Sequence, residues 1–246
     1  MRKTDIHCHV LPGIDDGSQS WQESLEMLKL AAAQGFEAAV ATPHASERFS
    51  DRTPREIREM CGLLEERAKA VFGQTFRIYP GQEILYSEEA AERLLRGELL
   101  TINGSSYVLV EFVPNTPYSS ILQGVERLRM SGFLPVVAHV ERYGALRRDE
   151  GPEGLLEAGA ILQMNYRSLA GRWYEENCVW CRKMLKEKKV QLLGTDMHNA
   201  GSRRPDTAHA EQWMKRHLDG SYIQELMYKN AQRILKNERL AAAQAC

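Results

Sequence analysis

Metal-ligating side chains recur along this chain where short apolar runs give way to polar residues. At the start, His7 and His9 flank Cys8 in the segment TDIHCHV. Residues i and i+2 of a β-strand point to the same side, so both imidazoles can bind one ion while Cys8 faces the packing layer. The same spacing pairs Asp196 with His198 in GTDMH. Imidazole and carboxylate ligands without thiolates favour Zn, Mn or Fe and argue against structural Zn.

Four further candidate ligands lie at the ends of other apolar runs. They are His44, Glu83, Glu111 and His139. This ligand set is too large for one ion, so the sequence predicts two or three divalent cations with a carboxylate between them. Cations about 3.5–4 Å apart serve the hydrolysis of phosphoesters and related bonds. Burying so many ionisable groups without cations would be very unfavourable, which argues against a chance grouping.

The loop after the first apolar run, LPGIDDGSQS, adds two carboxylates. Gly13 and Gly17 allow tight turns, which would bring Asp15 and Asp16 back over the metal ions. We expect Asp16 to be the ligand and Asp15 to order the loop, although an exposed acidic turn is the alternative for either residue alone. Both aspartates are candidates for the acid that protonates the leaving group.

Two arginines follow predicted ligands closely. Arg142 lies three residues after His139, and Arg203 lies five residues after His198. A guanidinium group matches the spacing of phosphate oxygens, so we expect both arginines to bind a phosphoryl group. The segment ASERFSDR, residues 45–52, is left without an assigned role, although a lid is considered.

Two cysteine patterns are interpreted as accidental. Cys61 and Arg67 have the Cys-x5-Arg spacing of cysteine-based tyrosine phosphatases, but the residues between them continue an amphipathic helix. Cys178 and Cys181 form a CxxC pair without a second pair or a redox context, so packing is the better interpretation.

Seven strand-like runs alternate with helix-like segments and must position these side chains. The runs are TDIHCHV, EAAVATPH, FRIYPGQEI, SYVLVEF, LPVVAHV, AILQMNY and QLLGTDMH. Helix signals include Ser20 with Glu23 as a capping box, and Thr53-Pro54 before an apolar face that we expect to end at Val71. Residues 201–238 predict two closing helices, and residues 241–246 a frayed end. The alternation predicts one domain over residues 1–246, with a parallel sheet closed into a barrel.

Composition excludes several functional classes. The 246 residues are 43% hydrophobic, and 32 Lys and Arg nearly balance 33 Asp and Glu, which argues against a nucleic-acid partner. No apolar run approaches the roughly 18 residues of a membrane span, and no secretory signal is evident. Five cysteines, an odd number, fit reduced thiols. We therefore expect a cytoplasmic protein without membrane insertion.

The ordered motifs resemble those of the polymerase-and-histidinol-phosphatase (PHP) superfamily. DIHCHVLPGIDDG, ATPH, GQEI, VEF, AHVERY and GTDMHN are similar to its bacterial protein-tyrosine phosphatase branch, associated with capsule and exopolysaccharide synthesis. The resemblance implies a distorted (β/α)7 TIM-like barrel, the PHP fold, with a trinuclear centre commonly assayed with manganese; Fe, Zn or Mg are alternatives. It also implies metal-dependent hydrolysis of phosphotyrosine by a metal-bound hydroxide.

The same resemblance assigns the ligands to individual ions. His7, His9, Glu83 and Asp196 would hold the first ion, and Glu83 would bridge to a second held with Glu111 and His139. His44, His198 and Asp16 would hold the third. Arg142 and Arg203 match the family's phosphate-binding arginines, and Asp16 joins them in the expected catalytic set.

The resemblance implies phosphotyrosines in the tail of a bacterial tyrosine kinase as substrate. A histidinol-phosphate phosphatase or another PHP phosphoesterase is the nearest alternative, and a non-catalytic metal-binding docking module is an alternative of another class. The metal in the cell, the kinase and the oligomeric state, a homo-oligomer included, stay open.

Overall fold

The computed structural model describes residues 1–49, 52–73, 75–148, 151–172 and 174–240. Within them, short β-strands alternate with helices along the whole chain. The strands are β1 (Lys3–Cys8), β2 (Phe36–Ala41), β3 (His44–Ala45), β4 (Arg77–Pro80), β5 (Glu83–Leu85), β6 (Tyr107–Glu111), β7 (Leu134–Val137), β8 (Ile161–Asn165) and β9 (Leu192–Gly194). The helices are α1 (Trp21–Ala33), α2 (Pro54–Phe72), α3 (Ala90–Leu95), α4 (Tyr118–Met130), α5 (Ala145–Arg148), α6 (Glu153–Glu157), α7 (Glu176–Lys186), α8 (Ala208–His217), α9 (Gly220–Gln224) and α10 (Asn230–Leu235).

All strand pairs within the described ranges are parallel, and these strands occupy seven positions around a barrel. One sheet has the order β1-β2-β4, and the other has the order β3-β5-β6-β7-β8-β9. β3 continues β2 after two residues, and β5 continues β4 in the same way, so the two sheets share two strand positions. The barrel closes through two backbone hydrogen bonds. The Asp196 N–H donates to the His7 carbonyl at 2.9 Å, and the His9 N–H donates to the Met197 carbonyl at 2.9 Å. The predicted distorted (β/α)7 barrel is therefore confirmed.

Local sequence signals explain where the helices begin. Thr53 caps α2 with a complete capping box, in which its hydroxyl and the Glu56 carboxylate each bind the other residue's backbone N–H. In α1 the box is incomplete, because Ser20 accepts from Glu23 but the Glu23 carboxylate accepts from Gln19 at 2.9 Å. The predicted box at α1 is therefore wrong in its second half.

The core lies mainly between the barrel and its helices. Cys8 is fully buried there, as expected from the alternation of β1. The prediction for Val71 is wrong: its side chain is 63% exposed. Val71 lies at the edge of the apolar stripe of α2, in the last turn before Gly73 ends the helix, and the barrel does not cover it.

The last described part of the chain, up to residue 240, contains two helical stretches, as predicted for residues 201–238. α8 is the first, and the second runs from α9 through the π-helical turn Glu225–Lys229 into α10. The predicted fraying of residues 241–246 lies outside the described residues. Among the helices that are described, none combines the length and apolarity that crossing a bilayer requires.

Candidate metal centre

The nine residues predicted as metal ligands converge at the carboxyl-terminal mouth of the barrel, where ligands of parallel βα folds gather. Most lie at the end of a strand or in the loop that follows it, whereas His44 and Glu83 begin β3 and β5, the short continuations of β2 and β4. The nine residues are His7, His9, Asp16, His44, Glu83, Glu111, His139, Asp196 and His198. Their ligand atoms form overlapping groups compact enough to hold cations.

The first group is built on the i, i+2 pair of β1. The Nε2 atoms of His7 and His9 lie 3.2 Å apart, and each lies 3.2 Å from Glu83 Oε2. Asp196 Oδ1 lies 3.7 Å from His7 Nε2 and 3.6 Å from His9 Nε2. The four side chains therefore bring their ligand atoms within 4 Å of the His7 and His9 Nε2 atoms.

Glu83 also faces a second group through its other oxygen. His139 Nε2 lies 2.7 Å from Glu83 Oε1 and 3.5 Å from Glu111 Oε2. Glu111 Oε1 lies 3.0 Å from Nδ1 of His44, which links this group to a third. The two oxygens of Glu83 therefore face different imidazoles, and Glu83 lies between the first group and the second.

The third group lies toward solvent. Asp16 Oδ1 is 3.4 Å from Nε2 of His44 and 3.4 Å from Nε2 of His198. The His198 ring stacks on that of His9, with centroids 3.9 Å apart. The Asp16 side chain is 49% exposed, so this group borders the opening of the site.

Two of these residues have unusual backbone conformations, which orient their side chains. His139 has a φ of 33° and Asp196 a φ of 51°, both in the left-handed region that non-glycine residues rarely adopt. Such conformations cluster at functional sites. Gly17 meets a different constraint, since a Cβ there would lie 2.3 Å from the His9 carbonyl oxygen. Only glycine lets the acidic loop pass this close over β1.

The two loop aspartates have different surroundings. Asp15 is buried, and its Oδ2 lies 2.7 Å from His9 Nδ1 and accepts the backbone N–H of His44. Its Oδ1 accepts the backbone N–H of Gly17. Burial opposes ionisation, but these contacts hold the pKa of Asp15 below its ordinary value. Asp15 is thus anionic and orients His9, whereas Asp16 faces the cluster.

The two predicted arginines lie at the same opening. Arg142 ends a 3-10 turn that starts at Val140, and its guanidinium donates to Asp196 Oδ2. Arg203 Nη2 lies 3.2 Å from Asp196 Oδ1, and Nη1 lies 3.6 Å from Asp16 Oδ2. The two guanidinium groups therefore border the carboxylates of the cluster and present donors toward the opening.

Sequence reasoning missed the neutral residues that hold the ligands. β8 carries no charged ligand, yet Gln163 Oε1 accepts the backbone N–H of His139 at 2.8 Å and lies 3.1 Å from His7 Nδ1. Gln163 Nε2 donates to Asn165, whose Nδ2 donates to Asp196 Oδ2 at 2.9 Å. The i, i+2 spacing of these amides in AILQMNY is the signal that would have revealed them.

A third neutral residue positions Arg203. The Asn199 Oδ1 atom accepts the backbone N–H groups of Gly201 and Arg203, each at 2.9 Å. An asparagine that bonds to the backbone two residues ahead is a common turn device. Asn199 thereby folds the loop that carries Arg203 back toward His198.

Gln163→Leu is expected to weaken Mn²⁺ binding by about 10–100-fold, the usual cost of losing a group that orients a ligand. Gln163 holds His7 in the tautomer with the proton on Nδ1 and leaves Nε2 free for a metal ion. Calorimetric titration with Mn²⁺ measures the effect. Gln191→Leu is the control, because Gln191 is also buried but accepts from Leu162 at the far end of the strands. Equal affinity in all three proteins would contradict this role for Gln163.

The buried charged groups of the site would be stabilised by bound cations. Burial alone would raise the pKa values of Glu83 and Asp196, but their interactions with neighbouring side chains, His7 foremost, hold both below their ordinary values. Burial lowers the pKa of His139, but the carboxylates of Glu83 and Glu111 together outweigh this effect and raise that pKa to about 9. Buried anionic carboxylates with shared imidazoles are what a cation would stabilise, and it would displace the imidazole protons.

His198 gives the most specific test of fit. Burial and the charge of His9 lower its pKa to about 2, so the ring is neutral and offers a lone pair. Its Nε2 atom is buried without a hydrogen-bond partner among the described residues, although it faces Asp16. A buried polar atom without a partner is costly, and a divalent cation would satisfy it. The residues present therefore fit a metal centre.

The cysteine patterns do not form alternative sites. Cys61 is buried in α2, where burial raises the pKa of its thiol to about 12. Arg67 instead stacks on Trp21, with its guanidinium carbon 4.7 Å from the ring centroid. Cys178 and Cys181 are buried in α7, and burial raises the pKa of both. These thiols are not activated as nucleophiles.

Comparison with known proteins agrees with this architecture. The family model described as capsular polysaccharide synthesis, CpsB/CapC, matches residues 3–236. The tyrosine-protein phosphatase YwqE of Bacillus subtilis (strain 168) is 30% identical over 243 residues, 96% of this chain and 92% of that protein. The tyrosine-protein phosphatase CpsB of Streptococcus pneumoniae is 31% identical over 240 residues, 95% of this chain and 98% of that protein.

A solved structure extends the similarity to three dimensions. It comes from the crystal structures of YwqE from B. subtilis and CpsB from S. pneumoniae, described as unique metal-dependent tyrosine phosphatases. The TM-score is 0.87 at 29% identity, over 97% of this chain and 96% of that chain. This chain belongs to the CpsB/CapC family of capsular polysaccharide synthesis.

Proposed function

We propose that this chain is a metal-dependent protein-tyrosine phosphatase, a phosphomonoesterase acting on a bacterial tyrosine kinase that controls capsule or exopolysaccharide synthesis. The observation that carries the proposal is the convergence of nine imidazole and carboxylate side chains with two guanidinium groups at one barrel mouth. The names of the relatives, all tyrosine-protein phosphatases, support the substrate class. The phosphotyrosine-bearing tail of such a kinase is the proposed partner.

The proposed cofactor is a set of two to three divalent cations, Mn²⁺ in the first place. When bound, such cations lower the pKa of a coordinated water to about 7 and neutralise charge on a phosphoryl group. The ligands would be divided as the family resemblance implies, with Glu83 shared between the first two ions. The facing of the two Glu83 oxygens toward different imidazoles supports this division.

Arg142 and Arg203 are proposed to bind the non-bridging phosphoryl oxygens. Each guanidinium offers forked donors, and stabilising charge that develops on these oxygens lowers the barrier to phosphoryl transfer. Asp16 is the third proposed catalytic residue, because it lies between the cluster and Arg203 at the opening. Asp15 is buried and held anionic, so it is not the acid for the leaving phenol.

The remaining parts of the proposal concern the whole chain. Residues 1–246 are proposed to form one metallophosphatase domain, in line with the family match over residues 3–236. No nucleic-acid partner is proposed, because the charge is balanced. The cytoplasmic location stays a prediction from the sequence.

The test is turnover of phosphotyrosyl peptides by protein loaded with defined metals, compared with histidinol phosphate. Preferred release of phosphate from the peptides is expected. Faster turnover of histidinol phosphate would favour the other superfamily activity. Stoichiometric binding of the peptides without phosphate release would establish a docking module and refute the proposal.

A further inference from the structure

The groups described so far recognise phosphate and not the rest of a substrate. Carboxylates, imidazoles and guanidinium groups would handle phosphoserine and phosphotyrosine alike. A phosphatase specific for tyrosine also needs a surface for the phenol ring. Such a surface should be apolar, close to the cluster and open to solvent.

Phe49 meets these three conditions. Its ring lies against the His44 imidazole, with centroids 5.7 Å apart and an interplanar angle of 18°. The ring is half-buried, so part of it faces solvent. Tyr143 also neighbours a site histidine, His139, but it is fully buried and its hydroxyl is bound by the Phe112 backbone N–H. Tyr143 is therefore part of the wall behind the site.

The local fold explains why Phe49 lies at the mouth. Directly after β3, the chain forms a 3-10 turn, Glu47–Phe49, in which Phe49 donates its backbone N–H to Ser46 at 3.0 Å. This turn reverses the chain and returns Phe49 over His44. The exposed Arg48 guanidinium lies 5.0 Å from the Phe49 ring centroid and marks the solvent side of the turn.

Phe49 flanks the side from which a substrate must approach. The buried side of the cluster is formed by His7, Glu83 and His139, each almost without exposure. The open side is formed by Asp16, which is 49% exposed, and Arg142, which is 40% exposed. Asp16 and Phe49 both contact His44, so Phe49 lies beside the group that borders the opening.

We infer that Phe49 is the specificity-determining residue for aryl phosphates, acting as a platform on which the phenol ring of the substrate packs. The inference rests on the proposed function and deepens it. Aromatic pairs favour offset-stacked or edge-to-face geometry, and Phe49 already packs in this way on His44. Phenylalanine has no polar atoms, so its contribution depends on the ring of the substrate and not on the phosphate.

The experiment measures inhibition constants in competition with p-nitrophenyl phosphate, using benzylphosphonate and methylphosphonate as non-hydrolysed probes. Phe49→Ala is expected to raise the inhibition constant of benzylphosphonate by about 2- to 12-fold and to leave that of methylphosphonate unchanged. Phe49→Trp should keep the wild-type preference for benzylphosphonate over methylphosphonate. Met130→Ala, at an exposed apolar residue of α4, is the control and should change neither constant.

Two results would overturn the inference. An equal rise in both inhibition constants in Phe49→Ala would mean that Phe49 only supports His44. No rise in either constant would mean that Phe49 does not contact the ligand. Phe49→Leu gives the same readout should the alanine variant lose metal, which elemental analysis reports. Failure of the wild-type protein to hydrolyse phosphotyrosyl peptides would refute the proposed function, which is a distinguishable outcome.

Discussion

Removal of divalent cations with EDTA is expected to abolish phosphotyrosine hydrolysis, with a loss of about a thousandfold or more, and added Mn²⁺ is expected to restore it. Metal ions commonly supply several kcal/mol of transition-state stabilisation, and each factor of ten corresponds to about 1.4 kcal/mol. The expectation is large because no described cysteine in the chain has a lowered thiol pKa that would replace metal chemistry.

Two controls separate loss of chemistry from loss of structure. Circular dichroism before and after EDTA should show that the barrel persists, since its apolar core is independent of the ligand cluster. Iodoacetamide treatment of the metal-loaded protein should leave turnover intact. Full activity in EDTA, with metal content verified as zero, would contradict the metal-dependent mechanism.

Arg142→Ala is expected to lower kcat by about 100- to 1000-fold, the range found when one preorganised donor to a developing negative charge is removed. The Arg142 guanidinium lies against the buried carboxylate of Asp196, where low solvent access strengthens its field. Burial opposes its charge, but Asp196 and Glu83 raise its pKa, so it stays cationic. Turnover of p-nitrophenyl phosphate at saturating Mn²⁺ measures the effect.

The interpretation depends on metal content. Arg142 also pairs with a proposed ligand, so elemental analysis must show that the variant binds as many cations as the wild-type protein. Arg55→Ala is the matched control, because Arg55 is 86% exposed on α2 and pairs only with Glu59 among the described residues. Wild-type kcat in Arg142→Ala with a full metal complement would remove Arg142 from the mechanism.

The convergence of the ligands was predictable because parallel strands share a direction. His7, His9, Glu111 and Asp196 each end an apolar run, and the closed barrel brings the ends of such runs to one mouth. The i, i+2 alternation correctly placed His7 and His9 on one side and Cys8 in the core. The two-residue alternation of side chains and the shared direction of parallel strands were sufficient to predict this part of the site.

Residues that act through backbone geometry were not predictable. Gln163 is neutral and looks like an ordinary strand residue, and its role appears only because His139 bends its backbone into the left-handed region beside it. The division of labour between Asp15 and Asp16 depends on how the loop crosses His9 at Gly17, a close approach without a sequence period. Residue types alone did not decide which of Asp15 and Asp16 faces the cluster.

The most direct test of the central claim is a crystal structure of the Mn²⁺-loaded protein, with anomalous diffraction data collected at the manganese edge. We predict two or three anomalous peaks within the cluster of nine ligands, two of them between His7, Glu83, His139 and Asp196 and sharing Glu83, and a third at Asp16, His44 and His198. Peaks located elsewhere, or none within this cluster at full Mn²⁺ loading, would contradict the account.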